Sequence, residues 1–483
     1  MLEVFAAIMA GTLYGLIIGI IPSAGATTGL VAIFGFITWF TSFDPYLGVV
    51  FVMAVVASST TGDSFSGVLL GIPGANSAAA TMVDGFPLAL QGRATYALTS
   101  AVTVSTINGL LWGTLTFALL PWYSNLILLF GVPELWAFVL MALATVGFVS
   151  TKLWVRSIIA IAFGCFVGLI GMHPETAADR WTFGWEYLAD SVQIMPFIAG
   201  LFAIPEILDG LFVKGKVAKV KISQKGQTLE GIKAVWKYKW DGLRGGAIGA
   251  FIGFLPGLGG AMSDWMAYGA TAAANQNEKV PFGKGNIKGV IGPEGSNNAQ
   301  KATSMIPTVL FGIPGASFAA IVLGLFMYLD FELGTTSLMY DDKFFDMLFY
   351  GFMGATIITC AICLIFTRWI SLITYVPYWV YGPILIVFVG WACMRYTGGW
   401  EDLAVLGIFS IVGMSCKYLK FSRPAMLMGF ILADKIESLS LQMIYLYTPS
   451  TLIIRPLFIG IMTLVIAMFI YGVFFNKNRL DYS

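Results

Sequence analysis

Gly71-Ile72-Pro73-Gly74-Ala75-Asn76-Ser77-Ala78-Ala79 is the stretch that decides how this chain is built. It follows Val68-Leu69, and it returns downstream of Val309-Leu310 as Gly312-Ile313-Pro314-Gly315-Ala316-Ser317-Phe318-Ala319-Ala320, with seven of nine positions identical. A second pair lies upstream of each copy. Gly19-Ile20-Ile21-Pro22-Ser23-Ala24-Gly25 corresponds to Gly253-Phe254-Leu255-Pro256-Gly257-Leu258-Gly259. Pro22 and Pro256 are 234 residues apart, and Pro73 and Pro314 are 241 apart. Two matched motifs in one order at nearly one spacing imply a duplication covering residues 5–130 and 240–365.

Both copies lie in apolar sequence. Of the 483 residues 58% are hydrophobic and 11% charged, against about 25% charged in a soluble domain. A bilayer solvates such a surface and water does not. A span needs roughly 20 apolar residues, and about ten to twelve such runs fit here. The runs are continuous rather than alternating, which excludes a barrel. The expected fold is an all-α polytopic membrane protein whose two inverted repeats contain broken, re-entrant helical hairpins.

Charge divides the chain. Between Lys214 and Arg244 lie nine of the 27 Lys and Arg, against Glu230 and Asp241. This places a cytoplasmic linker at 213–244, between a membrane half at 1–212 and another at 245–483. A connector between membrane halves accounts for the basic residues without nucleic acid; membrane lipid is the expected surrounding. Cys165, Cys360, Cys363, Cys393 and Cys416 all sit in apolar runs, as buried small residues do. His173 is the single histidine, which argues against a multi-histidine metal site and against a membrane enzyme. Residues 5–21 read as a retained first span.

Gly-x-Pro-Gly inside an apolar run has a physical consequence. Proline interrupts the helix, and glycine lets the chain turn. The freed backbone groups must be buried in protein or face a wet cavity. A half-helix starting there aims its N–H groups and dipole at an anion. Candidate substrate-binding residues are therefore Ser23, Gly25 and Thr27 at the first break and Gly71, Pro73, Gly74, Asn76 and Ser77 at the second. Pro256, Gly257 and Gly259, then Gly312, Pro314, Gly315 and Ser317, are their counterparts. Asp63, Asp84, Asp264 and Glu294 are the ion-coupling candidates, because carboxyl groups at membrane depth are costly. Na⁺ fits best at Asp63 and Asp264, and no other cofactor is expected. Asn275 to Lys301 reads as a solvated polar loop in which Asn297 and Asn298 either cap the next helix or join the substrate site.

The chain resembles the large membrane subunit of the tripartite tricarboxylate transporter family. The resemblance rests on Gly71–Ala75 with Thr81, Asp84, Gly85, Pro87 and Gly92; on Arg180, Thr182, Phe183 and Gly184; and on Pro256-Gly257. Its most specific part runs from Phe282-Gly283 and Gly285 through Gly292-Pro293-Glu294 and Asn297-Asn298-Ala299 to Ile306-Pro307 and Gly312–Gly315. Arg423-Pro424, Gly429, Glu437 and Arg455-Pro456 extend it. The resemblance implies secondary-active uptake of a small carboxylate across a bacterial inner membrane by alternating access, driven by Na⁺ or H⁺. It also implies a periplasmic substrate-binding protein and a small membrane subunit of about four spans as partners. An uncoupled anion channel is the alternative. Pro22-Ser23-Ala24-Gly25 and Thr61-Gly62-Asp63-Ser64 depart from the family pattern and bear on substrate and ion.

Overall fold

The computed structural model describes residues 2–475 apart from 22–24, 38–39, 41–42, 72–74, 76–77, 121–129, 150–152, 174–177, 213–225, 257–258, 335–337, 339–340, 371–377 and 398. The described chain is almost wholly helical; one short antiparallel pair, β1 (Gly171–Met172) and β2 (Asp179–Arg180), is its sheet. The first motif-bearing segment contains α1 (Leu2–Ile20), α2 (Gly25–Ile33), α3 (Pro45–Leu70), α4 (Ala79–Leu90) and α5 (Ala94–Gly113). Then come α6 (Val132–Ala144), α7 (Trp154–Gly168), α8 (Ile194–Ile198), α9 (Ile204–Phe212) and α10 (Gln227–Lys237). The second segment contains α11 (Lys239–Phe254), α12 (Gly259–Ala274), α13 (Lys288–Thr303), α14 (Met305–Phe311), α15 (Ser317–Tyr328) and α16 (Asp342–Ile370). The chain closes with α17 (Tyr378–Thr397), α18 (Glu401–Tyr418), α19 (Arg423–Leu446), α20 (Pro449–Ile453) and α21 (Pro456–Ile470).

Among the described residues, five helices are long and apolar enough to cross a membrane: Leu2–Ile20, Pro45–Leu70, Ala94–Ala118, Asp342–Thr367 and Pro456–Phe474. Shorter apolar helices, Ala79–Leu90 and Ser317–Tyr328 among them, begin just after the breaks. The breaks are thus what divides apolar sequence into half-length pieces. α3 ends on Gly71 at φ +67°, and α14 ends on Gly312 at φ +59°. Both positions need the left-handed conformation that glycine alone adopts without strain.

The two segments are assembled by the same contacts. Gly11, Gly15 and Gly19 of α1 lie against the backbone of Phe51, Val55 and Ser59 of α3. Gly245, Gly249 and Gly253 of α11 lie against Gly292, Ser296 and Gln300 of α13. The glycines match at a spacing of 234 and their partners at 241, the two spacings that separate the proline motifs. Without side chains at every fourth position, two apolar helices approach to backbone contact, the usual way of packing helices where water supplies no hydrophobic drive.

The segments are also interlocked. α5 packs on α13, and α16 on α3; α4 touches α12, and α2 touches α15. Each segment thus lends its last helix to the other, as a pseudo-two-fold relation requires. Gly113 of α5 meets Phe352 and Met353 of α16, whereas Gly109 meets Thr356, so these two helices are antiparallel. Their starting ends lie on opposite faces. Arg93 before α5 pairs with Glu230 of α10 at 2.9 Å. Lys343 at the start of α16 pairs with Asp44 at 3.2 Å, where Tyr46 Oη donates to Asp341 at 2.7 Å. The repeats are inverted.

The stretch 275–301 is not the solvated loop that its composition implies. From Lys288 it is a helix, α13, buried along its whole length. Asn297 and Asn298 therefore sit in mid-helix and cap nothing. Glu294 and Asp84, which could have faced water in turns, are fully buried. Polarity misleads here because α13 is polar nearly all round and is walled in by α3, α4, α5, α11 and α12. Outside the repeats, α19 lies on α7 through Gly164, Gly168 and Gly429, and Phe197 stacks on Phe430 at 4.0 Å. Ile384, Val387, Ile411 and Phe474 point outward, the apolar exterior that lipid solvates.

Candidate functional site

In the middle of α3, Ser58, Ser59, Thr60, Thr61, Asp63 and Ser64 are all buried. Most hydroxyls serve their own helix. Ser58 donates to Ala54 O at 2.7 Å, Thr60 to Val56 O at 2.9 Å, and Ser66 to Asp63 O at 3.0 Å. Asp63 has no such outlet, and neither carboxylate oxygen has a hydrogen-bond partner.

α13 faces this band. Glu294, Asn297, Asn298 and Lys301 stand at i, i+3, i+4 and i+7 and so share one helix face. Ser64 Oγ donates to Glu294 Oε1 at 2.7 Å and ties the two long helices together. Glu294 Oε2 and both amide ends of Asn297, Asn298 and Gln300 lack partners. Lys301 is only 4% exposed; its Nζ lies 4.0 Å over the Phe318 ring and faces the Asp63 charge. A lysine and a glutamate two turns apart, among unpaired amides and inside the apolar part of a membrane protein, form a site that invites charged ligands.

The two half-helices meet the seam differently. Asp264 of α12 accepts a hydrogen bond from Ala80 N at 2.8 Å, so it caps α4 from another element. Its second oxygen is unpartnered, as are Ser263 Oγ and Thr81 Oγ1 beside it. Asp84, one turn further along α4, is saturated. Its Oδ1 accepts from Gly283, Gly285 and Asn286 N–H at 2.9, 2.8 and 2.8 Å, and Oδ2 from Tyr268 Oη at 3.0 Å. Gly283 and Gly285 have φ of +82° and +95°, which turns successive N–H groups toward one carboxylate. The Phe282-Gly283-x-Gly285 motif is thus a nest around Asp84.

At the second break, residues 312–316 form the buried interruption between α14 and α15. Gly315 N donates to Thr308 Oγ1 at 3.1 Å. Lys435 of α19 donates to Phe311 O at 2.7 Å and Gly312 O at 3.2 Å, placing a cation on the C-terminal end of α14. Pro314 is buried in this interruption, and Ser317 opens α15 half-buried. Pro256 precedes the break before α12, and Gly259, at φ +71°, begins that helix one turn before Ser263. Gly25 opens α2 and Thr27 lies in its first turn. Gly71 abuts the Phe86 ring. Ser23, Pro73, Gly74, Asn76, Ser77 and Gly257 lie outside the described residues.

The structure therefore brings Asp63, Asp264, Glu294, Asn297 and Asn298 into one seam. Lys301 belongs with them and was missed as a site residue; Thr81, noted in the sequence as part of the resemblance, lies beside Asp264. The signal for Lys301 was its helical spacing from Glu294 and Asn297, which a loop assignment hides. Among the described residues no cluster of three or more His, Cys, Asp or Glu could hold a metal ion.

Two interlocked inverted repeats around a buried charged seam define a multi-pass helical membrane protein. Over residues 5–428 the chain matches the model of the tripartite tricarboxylate transporter TctA family, and it belongs to that family. It is thereby a membrane component of a tripartite transporter. It is 26% identical over 439 residues, 88% of this chain and 84% of the relative, to an uncharacterized 52.8 kDa protein of the TAR-I ttuC' 3' region of Agrobacterium vitis. An uncharacterized protein of the TAR-II ttuC' 3' region of the same organism is also 26% identical, over 194 residues, 39% of this chain and 78% of that relative. No solved structure matches the chain.

Proposed function

We propose that the chain is a secondary-active carrier that takes a small carboxylate across the bacterial inner membrane, with the basic linker in the cytoplasm. A periplasmic binding protein delivers the substrate, and a small membrane subunit of about four spans completes the carrier. The observation that supports this most is Lys301, a buried cation on the same helix face as the unpaired amides of Asn297 and Asn298. Ammonium and amide N–H groups together bind a carboxylate. The Ser317 end of α15 adjoins this group through Phe318, and Gly315 and Pro314 shape the approach.

Three carboxylates, Asp63, Asp264 and Glu294, share the seam with that one ammonium, and Asp63 faces it. An anion entering alone meets net repulsion, so a cation held by Asp63 and Glu294 must offset it first. Asp264 contributes its unpaired oxygen while its other oxygen caps α4. Asp84 is left out of the cation site, because four donors already saturate it. Alternating access then follows from movement of the seam-lining hairpins against the scaffold of α6–α9 and α17–α21.

The test is uptake by proteoliposomes containing the carrier, its small subunit and its binding protein, with a panel of mono-, di- and tricarboxylates. Sodium and proton gradients are imposed separately. Gradient-dependent accumulation of one carboxylate class is expected, and Lys301→Met lowers it by more than about 30-fold, the loss of a buried charge pair. Equal uptake by Lys301→Met refutes the anion site. Solute flux without accumulation identifies a channel instead.

A further inference from the structure

α10 has two faces. Gly231, Ala234 and Val235 are buried against α5, where Ser100 Oγ donates to Gly231 O at 3.2 Å. Leu229, Lys233, Trp236 and Lys237 face outward, and Trp240 of α11 continues that face. Trp236 is 64% exposed and Trp240 69%, while Glu230 is engaged by Arg93. Lys237 Nζ lies 5.1 Å from the Tyr238 ring, and Lys239 Nζ 5.6 Å from the Trp240 ring. Lysines beside exposed tryptophans on a short amphipathic helix match the boundary between headgroups and acyl chains.

Behind Trp236 is a groove of about 130 Å³ between α5, α10 and α11. Val104, Ile107, Asn108, Val235 and Trp236 line it, and Lys239 stands at its rim. Asn108 is 1% exposed and its Oδ1 has no partner. Apolar walls under a lysine rim fit an amphiphile with an anionic head. Inorganic phosphate leaves the walls unused, and a zwitterionic lipid gains less from the lysines, which are attracted to an anionic surface.

We propose that this groove binds one anionic phospholipid, with an acyl chain along Ile107 and Val235 and the phosphate on Lys239, to which the exposed Lys237 of the same surface adds positive charge. The site is separate from the carboxylate seam, and its test reads binding directly. Full-length protein is equilibrated with phosphatidylglycerol or phosphatidylcholine in detergent micelles and examined by native mass spectrometry. Wild type is expected to retain one phosphatidylglycerol with at least tenfold preference. Ile107→Trp, which fills the groove, and the exposed double substitution Lys237→Gln/Lys239→Gln are each expected to lose that preference with unchanged thermal melting. Equal retention of the two lipids by wild type overturns the proposal, as does full phosphatidylglycerol retention by the Lys237→Gln/Lys239→Gln protein. Displacement of the lipid by millimolar inorganic phosphate also overturns it, in favour of a plain phosphate site.

Discussion

Asp63, Asp84 and Asp264 share one residue type and one depth of burial, yet their surroundings give them different work. Asp84 accepts from three backbone N–H groups and a tyrosine hydroxyl, and so holds the 283–286 nest in place. An amide there has one acceptor oxygen and presents donors to donors. Asp84→Asn is expected to cost roughly 2–3 kcal/mol of stability, seen as a lower melting temperature in detergent. Protein that survives should keep its cation dependence. Asp63 has no hydrogen-bond partner for either oxygen and faces the buried Lys301 charge, so Asp63→Asn removes a carboxylate held by charge alone and leaves Lys301 without it. That variant should lose the cation dependence of uptake, whatever it costs in melting temperature. If both variants lose cation dependence, the division of roles is wrong. None of this was legible residue by residue, because hydrogen-bond donors from 200 positions away in the chain decide what a carboxylate does.

Helices in this protein meet through missing side chains. Gly15 abuts the backbone of Val55, and Gly249 that of Ser296. A side chain at either position pushes two backbones apart. Gly15→Leu and Gly249→Leu should therefore be about equally damaging, each by roughly 1–3 kcal/mol or more, since each overfills the same contact in its own repeat. Gly407 of α18 faces open space and is the control. Gly407→Ala should match wild type or gain up to about 1 kcal/mol from helix propensity. Melting curves of the purified variants measure all three. The fourfold glycine spacing could be read from the amino-acid order, although only Gly19 and Gly253 stood out through their proline neighbours. α13 could not. Its Gly, Asn, Glu and Lys content reads as solvated loop, and only enclosure by the surrounding helices makes it a core element.

At the scale of the whole molecule, inversion has a direct consequence for sidedness. Arg93 and Lys343 begin corresponding helices but lie on opposite faces. In a background lacking the five native cysteines, Arg93→Cys and Lys343→Cys should react with a membrane-impermeant thiol reagent from opposite sides. Labelling of both from one side would make the repeats parallel. The charge distribution couples the two ligands. Carboxylate affinity should rise at least tenfold with cation concentration before it saturates, and by linkage saturating carboxylate should raise cation affinity by the same factor. Calorimetric titration of each ligand in the presence and absence of the other measures this coupling, and affinities unchanged by the second ligand would refute it.

Composition and repetition by themselves determined that the chain is a duplicated helical membrane protein broken at paired glycine and proline positions, because apolar content and backbone breakers act locally. Only the tertiary structure decided that α13 is interior, that Lys301 belongs to the seam, and that Asp264 caps a helix in the other repeat. Those outcomes depend on which helices enclose a polar face and which donors reach a carboxylate, and both are set by contacts between segments far apart in the chain.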